Sequence, residues 1–374
     1  MIDKILLFPY YLVLKLRDRR YSRPGRRQNA AEVPTLCIGN VTAGGTGKTP
    51  HVEMVLRMLQ QSETWAGKQL AVLSLGYKRD SRGFQQVMAD GTATVFGDEP
   101  LQIKKKFPAV TVAVDKDRVE GCDLLVHPAK LNDAKVARKC WNREFPAAEY
   151  IVLDDAFQYR KLKATRTVVL VDWNRPVHKD MLLPLGRLRD LPERIFDADA
   201  VIVTKCPAEL DDLSKAKFVQ EAGFSDYLPS SCDAMNPGGR RQLVLFTTIH
   251  YGQPEGVYPA AELRYTYAKK AILVTGIAGD GPLRAHLSDT YKLIRRFSFR
   301  DHHRFAWNDI NRIQDAVKRE PTAAVLTTEK DAQRLLDFSA MPASVKERLL
   351  QVPITVDFLT EEERETFAEL IAGI

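Results

Sequence analysis

Lys48 and Thr49 close a run that reads Gly39-Asn40-Val41-Thr42-Ala43-Gly44-Gly45-Thr46-Gly47-Lys48-Thr49-Pro50, and this spacing suits the holding of a polyphosphate. The run lies between an apolar stretch (Val33–Ile38) and a helix-like one (His51–Gln61). A strand that breaks into glycines and re-emerges as a helix points several backbone N–H groups into one concavity at the positive end of a helix dipole. Gly44, Gly45, Thr46 and Gly47 would form the cradle. Lys48 would neutralise the β- and γ-phosphates, and the Thr49 hydroxyl would meet Mg²⁺. Thr42 stands where the usual pattern has glycine, yet the remaining glycines meet the steric need. A chance glycine turn before a lysine does not explain the order strand, loop, Lys-Thr, amphipathic helix.

Two other places carry carboxylates suited to the same chemistry. Tyr150-Ile151-Val152-Leu153-Asp154-Asp155 is an apolar strand ending in two acids, as a magnesium ion bridging phosphates requires: one rigidly held carboxylate opposite the loop threonine. Gly97-Asp98-Glu99-Pro100 follows the β-rich run Thr92–Phe96 and precedes a helix-like stretch, Leu101–Phe107. At the carboxyl edge of a parallel sheet Asp98 is a candidate base; an acid capping the next helix is the commoner use of such a residue. Further on, Phe299-Arg300-Asp301-His302-His303-Arg304-Phe305 is a polar cluster flanked by aromatics, a pattern more often found in surface loops.

These residues need a scaffold. Gln69–Leu75, Val110–Val114, Tyr150–Asp154, Thr167–Val171 and Ala200–Thr204 are β-branched runs without alternation, the mark of parallel strands covered on both faces. Alternation with helical stretches predicts an α/β fold of the P-loop NTPase kind, a doubly wound, mostly parallel sheet. After Ser230–Arg240, read as a linker or hairpin, the runs Gln242–Thr248, Lys270–Thr275 and Ala323–Thr328 predict a second, smaller α/β domain. The expected division is 1–28, an N-terminal segment; 29–229, a nucleotide-binding core; and 230–374, the smaller domain. A length of 374 residues fits more than one domain, and 45% hydrophobic with 28% charged residues is globular composition. Five cysteines without a C-x-x-C pair point to reduced thiols in a cytoplasmic compartment rather than zinc or disulfides.

The net charge of +7 suits a polyanionic partner. Ile5–Leu14 is apolar and aromatic but too short to span a bilayer, which takes ~20 residues. Seven basic residues against one acid follow from Lys15 to Arg27. The segment reads equally as an interfacial anchor with an arginine collar or as a helix packed on the protein's own core.

The glycine loop, Gly97-Asp98-Glu99-Pro100, Leu153-Asp154-Asp155-Ala156-Phe157-Gln158, Leu182-Leu183-Pro184-Leu185-Gly186-Arg187-Leu188-Arg189, the His302-His303 cluster and Thr327-Thr328-Glu329-Lys330-Asp331 occur in one order. Together they resemble the tetraacyldisaccharide 4'-kinase family over nearly the whole chain. The resemblance implies transfer of the γ-phosphate of ATP to the 4'-hydroxyl of a tetraacylated glucosamine disaccharide 1-phosphate, giving the lipid A precursor. It implies a peripheral enzyme on the cytoplasmic face of the bacterial inner membrane, favours the anchor reading of the N-terminus, and leaves acyl-chain length and oligomeric state open. By the same resemblance, Lys48 and Thr49 hold phosphate and Mg²⁺, Asp154 and Asp155 belong to the metal site, and Gln158 orders the phosphate end. The resemblance also makes Asp98 the base and His302 its partner, with the choice between His302 and His303 left open.

The chain departs from the family pattern at Ala156 and Tyr159, where glycine and histidine are usual, and at Leu75, where arginine is usual. Lys78, Arg79 and Arg118 are candidates to replace that arginine. Other classes fit less well. A deviant Walker A ATPase needs a lysine at Ala43, and a GTP switch needs Asn-Lys-x-Asp where this chain has Thr204-Lys205-Cys206-Pro207. Basic residues interleaved with aromatics, which a nucleic-acid partner would need, are approached only at the N-terminus.

Overall fold

The computed structural model describes residues 2–21, 28–136 and 140–373. Its main layer is an 11-stranded sheet. A parallel run crosses it in the order Thr111–Val114, Leu70–Ser74, Tyr150–Asp154, Thr35–Gly39, Arg166–Asp172, Ala200–Thr204, Arg241–Tyr251. Strand order reverses at Thr35–Gly39, so the glycine loop leaves the sheet at the switch point where open α/β folds bind ligands. Both faces are covered. Leu36 and Ile38 belong to one apolar cluster with Val52, Leu56 and Val72, while Cys37 belongs to the opposite one with Ala71, Leu73 and Ile151.

A second, 5-stranded sheet runs Glu255–Gly256, Leu349–Val352, Ala324–Thr328, Lys270–Thr275, Lys292–Ser298, parallel except at its first strand. It has its own cores on two faces. The change of sheet does not fall at residue 230. Arg241–Tyr251 pairs in parallel with Ala200–Thr204, and Ile354–Phe358 returns from the second unit to pair with it in antiparallel fashion. The final helix, Glu361–Ala372, then packs against the large sheet through Phe367 and Ile371. The chain thus enters the smaller sheet after Tyr251 and leaves it before Ile354, which corrects the expected boundary. Ser230–Arg240 does contain a hairpin strand, Asp233–Met235.

Two short segments also differ from expectation. Thr92–Phe96 is β-branched, yet Ala93–Phe96 is a helical turn. Thr92 caps it, and Asp337 of the second unit accepts from the Ala93 and Thr94 N–H groups at 2.9 and 2.7 Å. Asp98 therefore opens the helix Asp98–Lys106 instead of following a strand. The N-terminal helix, Ile2–Tyr21, is longer than the apolar run. It buries Leu14 in the core, while Phe8, Leu12, Val13 and Leu16 stay exposed. No helix among the described residues is long and apolar enough to cross a membrane. The part of the expected arginine collar at 22–27 lies outside the described residues. All five cysteines are buried and free.

Candidate active site

Gly44, Gly45 and Gly47 have φ of 85°, 34° and 85°, the left-handed region in which a side chain is strained. Thr42 needs no such freedom: it forms an antiparallel bridge with Leu188, and Ala43 N–H donates to the Arg187 carbonyl at 2.6 Å. The residue that breaks the usual pattern thus sits in extended backbone, which a β-branched side chain favours. Around the loop, buried and part-buried bonds hold the backbone. Asn40 donates to Thr46 Oγ1 (2.6 Å), Gln158 donates to the Asn40 carbonyl (2.6 Å), and Thr204 donates to the Thr46 carbonyl (3.1 Å). Gln158 thus braces the loop through Asn40. His51, which burial pushes down to about 4, is neutral, and its Nδ1–H donates to the Gly47 carbonyl at 2.7 Å.

Lys48 and Thr49 open the helix Lys48–Gln61. Ile38 and Asp154 are register partners on adjacent strands, which brings the two acids beside the loop. The acids differ. Asp155, at φ 52°, receives the Arg189 guanidinium on both oxygens and has Lys48 Nζ at 3.8 Å. Burial would raise its carboxyl, but Lys48 and Arg189 hold it below the usual range. Asp154 is almost wholly buried. One oxygen accepts from Ser74 at 3.0 Å, and the other has no hydrogen-bond partner. Burial, then the charges of Glu99 and Asp155, push its carboxyl up to about 7. The free oxygen of Asp154 fits a magnesium ion, whereas Asp155 is already occupied. Among the described residues no cluster of three His, Cys, Asp or Glu forms a closed metal cage. A magnesium ion here would therefore be completed by phosphate oxygens and water, as is usual for this ion.

Asp98 and His302, 204 positions apart, meet across the two units. His302 Nδ1 lies 3.1 Å from Asp98 Oδ2. Lys330 Nζ lies 3.1 Å from His302 Nε2 and 2.9 Å from Glu99. An ammonium has no lone pair, so Lys330 donates to Nε2, and Nδ1 carries the proton given to Asp98. Arg334 adds a second cation, 3.3 Å from Asp98. Burial would raise Asp98, but the His302 hydrogen bond with Lys330 and Arg334 outweighs it and holds the carboxyl at about 2. His303 goes elsewhere, stacking on Phe299 and bonding Asp309 at 2.8 Å.

The Thr-Thr-Glu-Lys-Asp run is the frame of this arrangement. Thr328 caps the helix Glu329–Leu336, and Asp331 accepts from Thr328 (2.6 Å) and Gly276 N–H (3.0 Å) while pairing Arg334 at 2.5 Å. Gly276 opens the loop after Lys270–Thr275, and its tip, Ala278, approaches the glycine loop. A Cβ on Gly44 or Gly45 would lie 3.6 Å from the Ala278 methyl. The carboxyl edges of both sheets thus face one site. Beside Asp98 and His302 lies a pocket of about 220 Å³ whose lining includes Tyr77, Lys78, Thr94 and Arg304.

The structure therefore gathers Gly44 to Thr49, Asp154, Asp155 and Gln158 at one end and Asp98 with His302 at the other. Asn40, Glu99, Arg189, Lys330 and Arg334 were not assigned from sequence. They lie in or near the quoted motifs, but the site partners of Glu99, Arg189, Lys330 and Arg334 are 28 to 236 residues away, so spacing carried no signal for their pairing.

Fold and site together define the class of a P-loop phosphotransferase. Within that class the chain belongs to the tetraacyldisaccharide-1-P 4'-kinase family, whose sequence model matches residues 4–372. Curated relatives named tetraacyldisaccharide 4'-kinase include one from Parabacteroides distasonis, 34% identical over 97% of this chain and 91% of its own. Another, from Porphyromonas gingivalis, is 35% identical over 98% and 94%. A crystal structure of LpxK from Aquifex aeolicus in complex with ATP superposes with a TM-score of 0.67 and 23% identity, covering 100% of this chain and 99% of that one, and so shares its fold.

Proposed function

We propose that this protein transfers the γ-phosphate of ATP to the 4'-hydroxyl of a tetraacylated glucosamine disaccharide 1-phosphate at the cytoplasmic face of the inner membrane. The observation that carries the reading is the Asp98–His302 pair, assembled from two units, with the His302 N–H on the Gly276 carbonyl of the loop whose Ala278 approaches Gly44 and Gly45. Lys48 and the N–H groups of Gly44 to Thr49 bind the β- and γ-phosphates and spread their charge. Thr49 and Asp154 would hold Mg²⁺, which lends its charge to the phosphate oxygens; Asp155, paired with Arg189 and Lys48, fixes the position of that lysine. Asp98 accepts the hydroxyl proton at Oδ2 or Oδ1, and His302, held by Lys330, keeps the carboxylate oriented. Because these groups lie on different units, the site is complete only when the units are together, which excludes water from the reacting phosphate.

Among the candidates to replace the arginine absent at Leu75, Arg118 is buried and bonded to the Asp115 carbonyl, and Arg79 folds back on Ser81 and Gly83. Lys78 is exposed and lines the pocket beside Asp98, which supports it as the acceptor-side cation. The exposed Phe8, Leu12, Val13 and Leu16 support a peripheral contact with the membrane that holds the acyl chains. The test is to supply γ-labelled ATP with a tetraacylated disaccharide 1-phosphate: label on the lipid is expected, and label released only as free phosphate would overturn the reading.

A further inference from the structure

Lys205 is a cation that the reading above leaves without a role. It follows the strand Ala200–Thr204, and its ammonium donates to the Gly45 carbonyl and to Asp172 Oδ2, the latter at 2.5 Å. Its own backbone has φ 59°, left-handed in a residue that is not glycine. Such strain persists only where the surroundings over-determine it, and it gathers at ligand clamps. Asn174 donates to the Lys205 carbonyl at 3.4 Å, and Thr204 holds the next loop carbonyl, that of Thr46.

The polarity of the site says which part of a nucleotide comes here. The γ-phosphate end is fixed by Lys48, Asp154 and Asp98. Tyr150–Asp154 lies on one side of the loop strand Thr35–Gly39, with Leu70–Ser74 beyond it. Gly97, next to Asp98, packs 3.1 Å from Gly76, just past Leu70–Ser74, when a Cβ is placed on it. A triphosphate whose terminal group points that way must carry its nucleoside to the opposite side of the loop strand. There Arg166–Asp172 and Ala200–Thr204 end, with Asp172 and Thr204 in register. The carboxyl ends of these strands hold Asp172 and Lys205, and a quarter of the Lys205 side chain remains exposed. With its ammonium tied to the Gly45 carbonyl and Asp172, the methylene stem is the part left to offer an apolar strip.

We propose that Lys205 is the nucleoside-positioning residue of the site: its ammonium fixes the Gly45 carbonyl, and its stem forms one wall for the ribose and base of the bound triphosphate. The assignment rests on the ATP reading above. It separates two tasks in one side chain. The charge shapes the loop for any polyphosphate, whereas the stem meets only a ligand that has a nucleoside.

Two substitutions divide those tasks. Lys205→Met keeps a stem and loses the charge; Lys205→Ala loses both. Dissociation constants for Mg·ATP and for Mg·tripolyphosphate, measured by calorimetry on the full chain, are the readout. For tripolyphosphate the two variants should be weakened by the same factor. For ATP, Lys205→Ala should be weaker than Lys205→Met by roughly fivefold, the effect of about one methylene's worth of lost apolar contact or a little more. In the kinase reaction the KM for ATP should separate the two variants by more than kcat does. Equal ATP affinity in the two variants, with wild type binding ATP normally, overturns the nucleoside assignment and leaves a loop brace. A wild-type protein that binds tripolyphosphate but not ATP overturns the nucleotide reading itself, and the Lys205 role with it.

Discussion

Asp98 shows how a single residue is tuned by its neighbours. Held at about 2 by His302, Lys330 and Arg334, it is ionised at any working pH, and so ready to accept a proton but weakly basic. The sign of the linkage follows: its folded carboxyl titrates below the unfolded one, so it contributes stability above about pH 4 that is lost as pH falls toward 2. Lys330→Met removes one of the charges that depress it, so the acid limb of the pH–rate profile should move upward; superimposable profiles would count against Asp98 as the base. Asp98→Asn and His302→Ala should each lower kcat far more than they raise the KM for ATP. Their losses should also fail to multiply in the double mutant, because residues acting as a unit lose function together. Lys48→Ala, by contrast, should abolish transfer with the fold intact, since its ammonium lies 3.8 Å from Asp155 beside the glycine loop rather than in an apolar core; a folded variant with near wild-type turnover would sink the loop assignment. The placement of Lys48, Thr49, Asp154 and Asp155 beside one loop was legible in sequence, because they lie in local patterns; that Arg189 and Lys48 take up Asp155 was not. The choice of His302 over His303 was not legible without the fold, because it depends on His302 standing at φ 56° on one unit with Asp98 opposite on the other.

Elements were readable where their own residues determine them. The buried parallel strands announce themselves by β-branched runs without alternation, and the glycine loop by its glycines. Ala93–Phe96 was not readable because Asp337, far along the chain, caps it and overrides a β-favouring composition. Nor was the return of Ile354–Phe358 to the large sheet, since no local pattern states which sheet a strand will join. The N-terminal helix packs on the protein's own core along one face, one of the two alternatives that sequence left open. One face packs through Leu14, and Tyr10 donates to the Arg189 carbonyl at 2.9 Å while Arg17 pairs Asp190 at 3.0 Å. The other face is exposed and apolar. Those faces call for different tests. Val13→Glu with Leu16→Glu should weaken binding to anionic vesicles by tenfold or more, at an order-of-magnitude level, while leaving the Tm nearly unchanged. Leu14→Ala should cost about 3 kcal/mol of stability by opening a cavity. Vesicle binding indifferent to the double substitution would mean that the exposed face has another use.

At the scale of the molecule, catalysis depends on how firmly two α/β units are held together. Their interface is polar and buried. Lys106 reaches Glu53 of the first unit at 2.8 Å and Glu329 of the second at 2.5 Å, and both acids are almost fully buried. Gln102 also donates to Glu53 (2.8 Å), and Lys105 to Gln333 (2.8 Å). Glu329 already titrates above its ordinary range because burial outweighs the pull of Lys106. Lys106→Met would leave two buried carboxylates facing each other with Arg57, 3.3 Å from Glu53, as the remaining nearby cation. The expected loss is about 3 kcal/mol, the scale for breaking a buried pair by removing one partner. It should be accompanied by a fall in kcat, because Glu329 begins the helix that carries Lys330 and Arg334 to Asp98. The pH dependence identifies the cause. In the variant the folded Glu329 carboxyl is raised further above its unfolded value, so the folded state binds the extra proton. Stability is then retained at low pH and lost as pH rises through the folded value. Chemical unfolding at pH 5 and pH 8 should therefore show wild type and Lys106→Met closer together at pH 5. A gap of equal size at both values would mean that packing, not charge, joins the two units through this lysine.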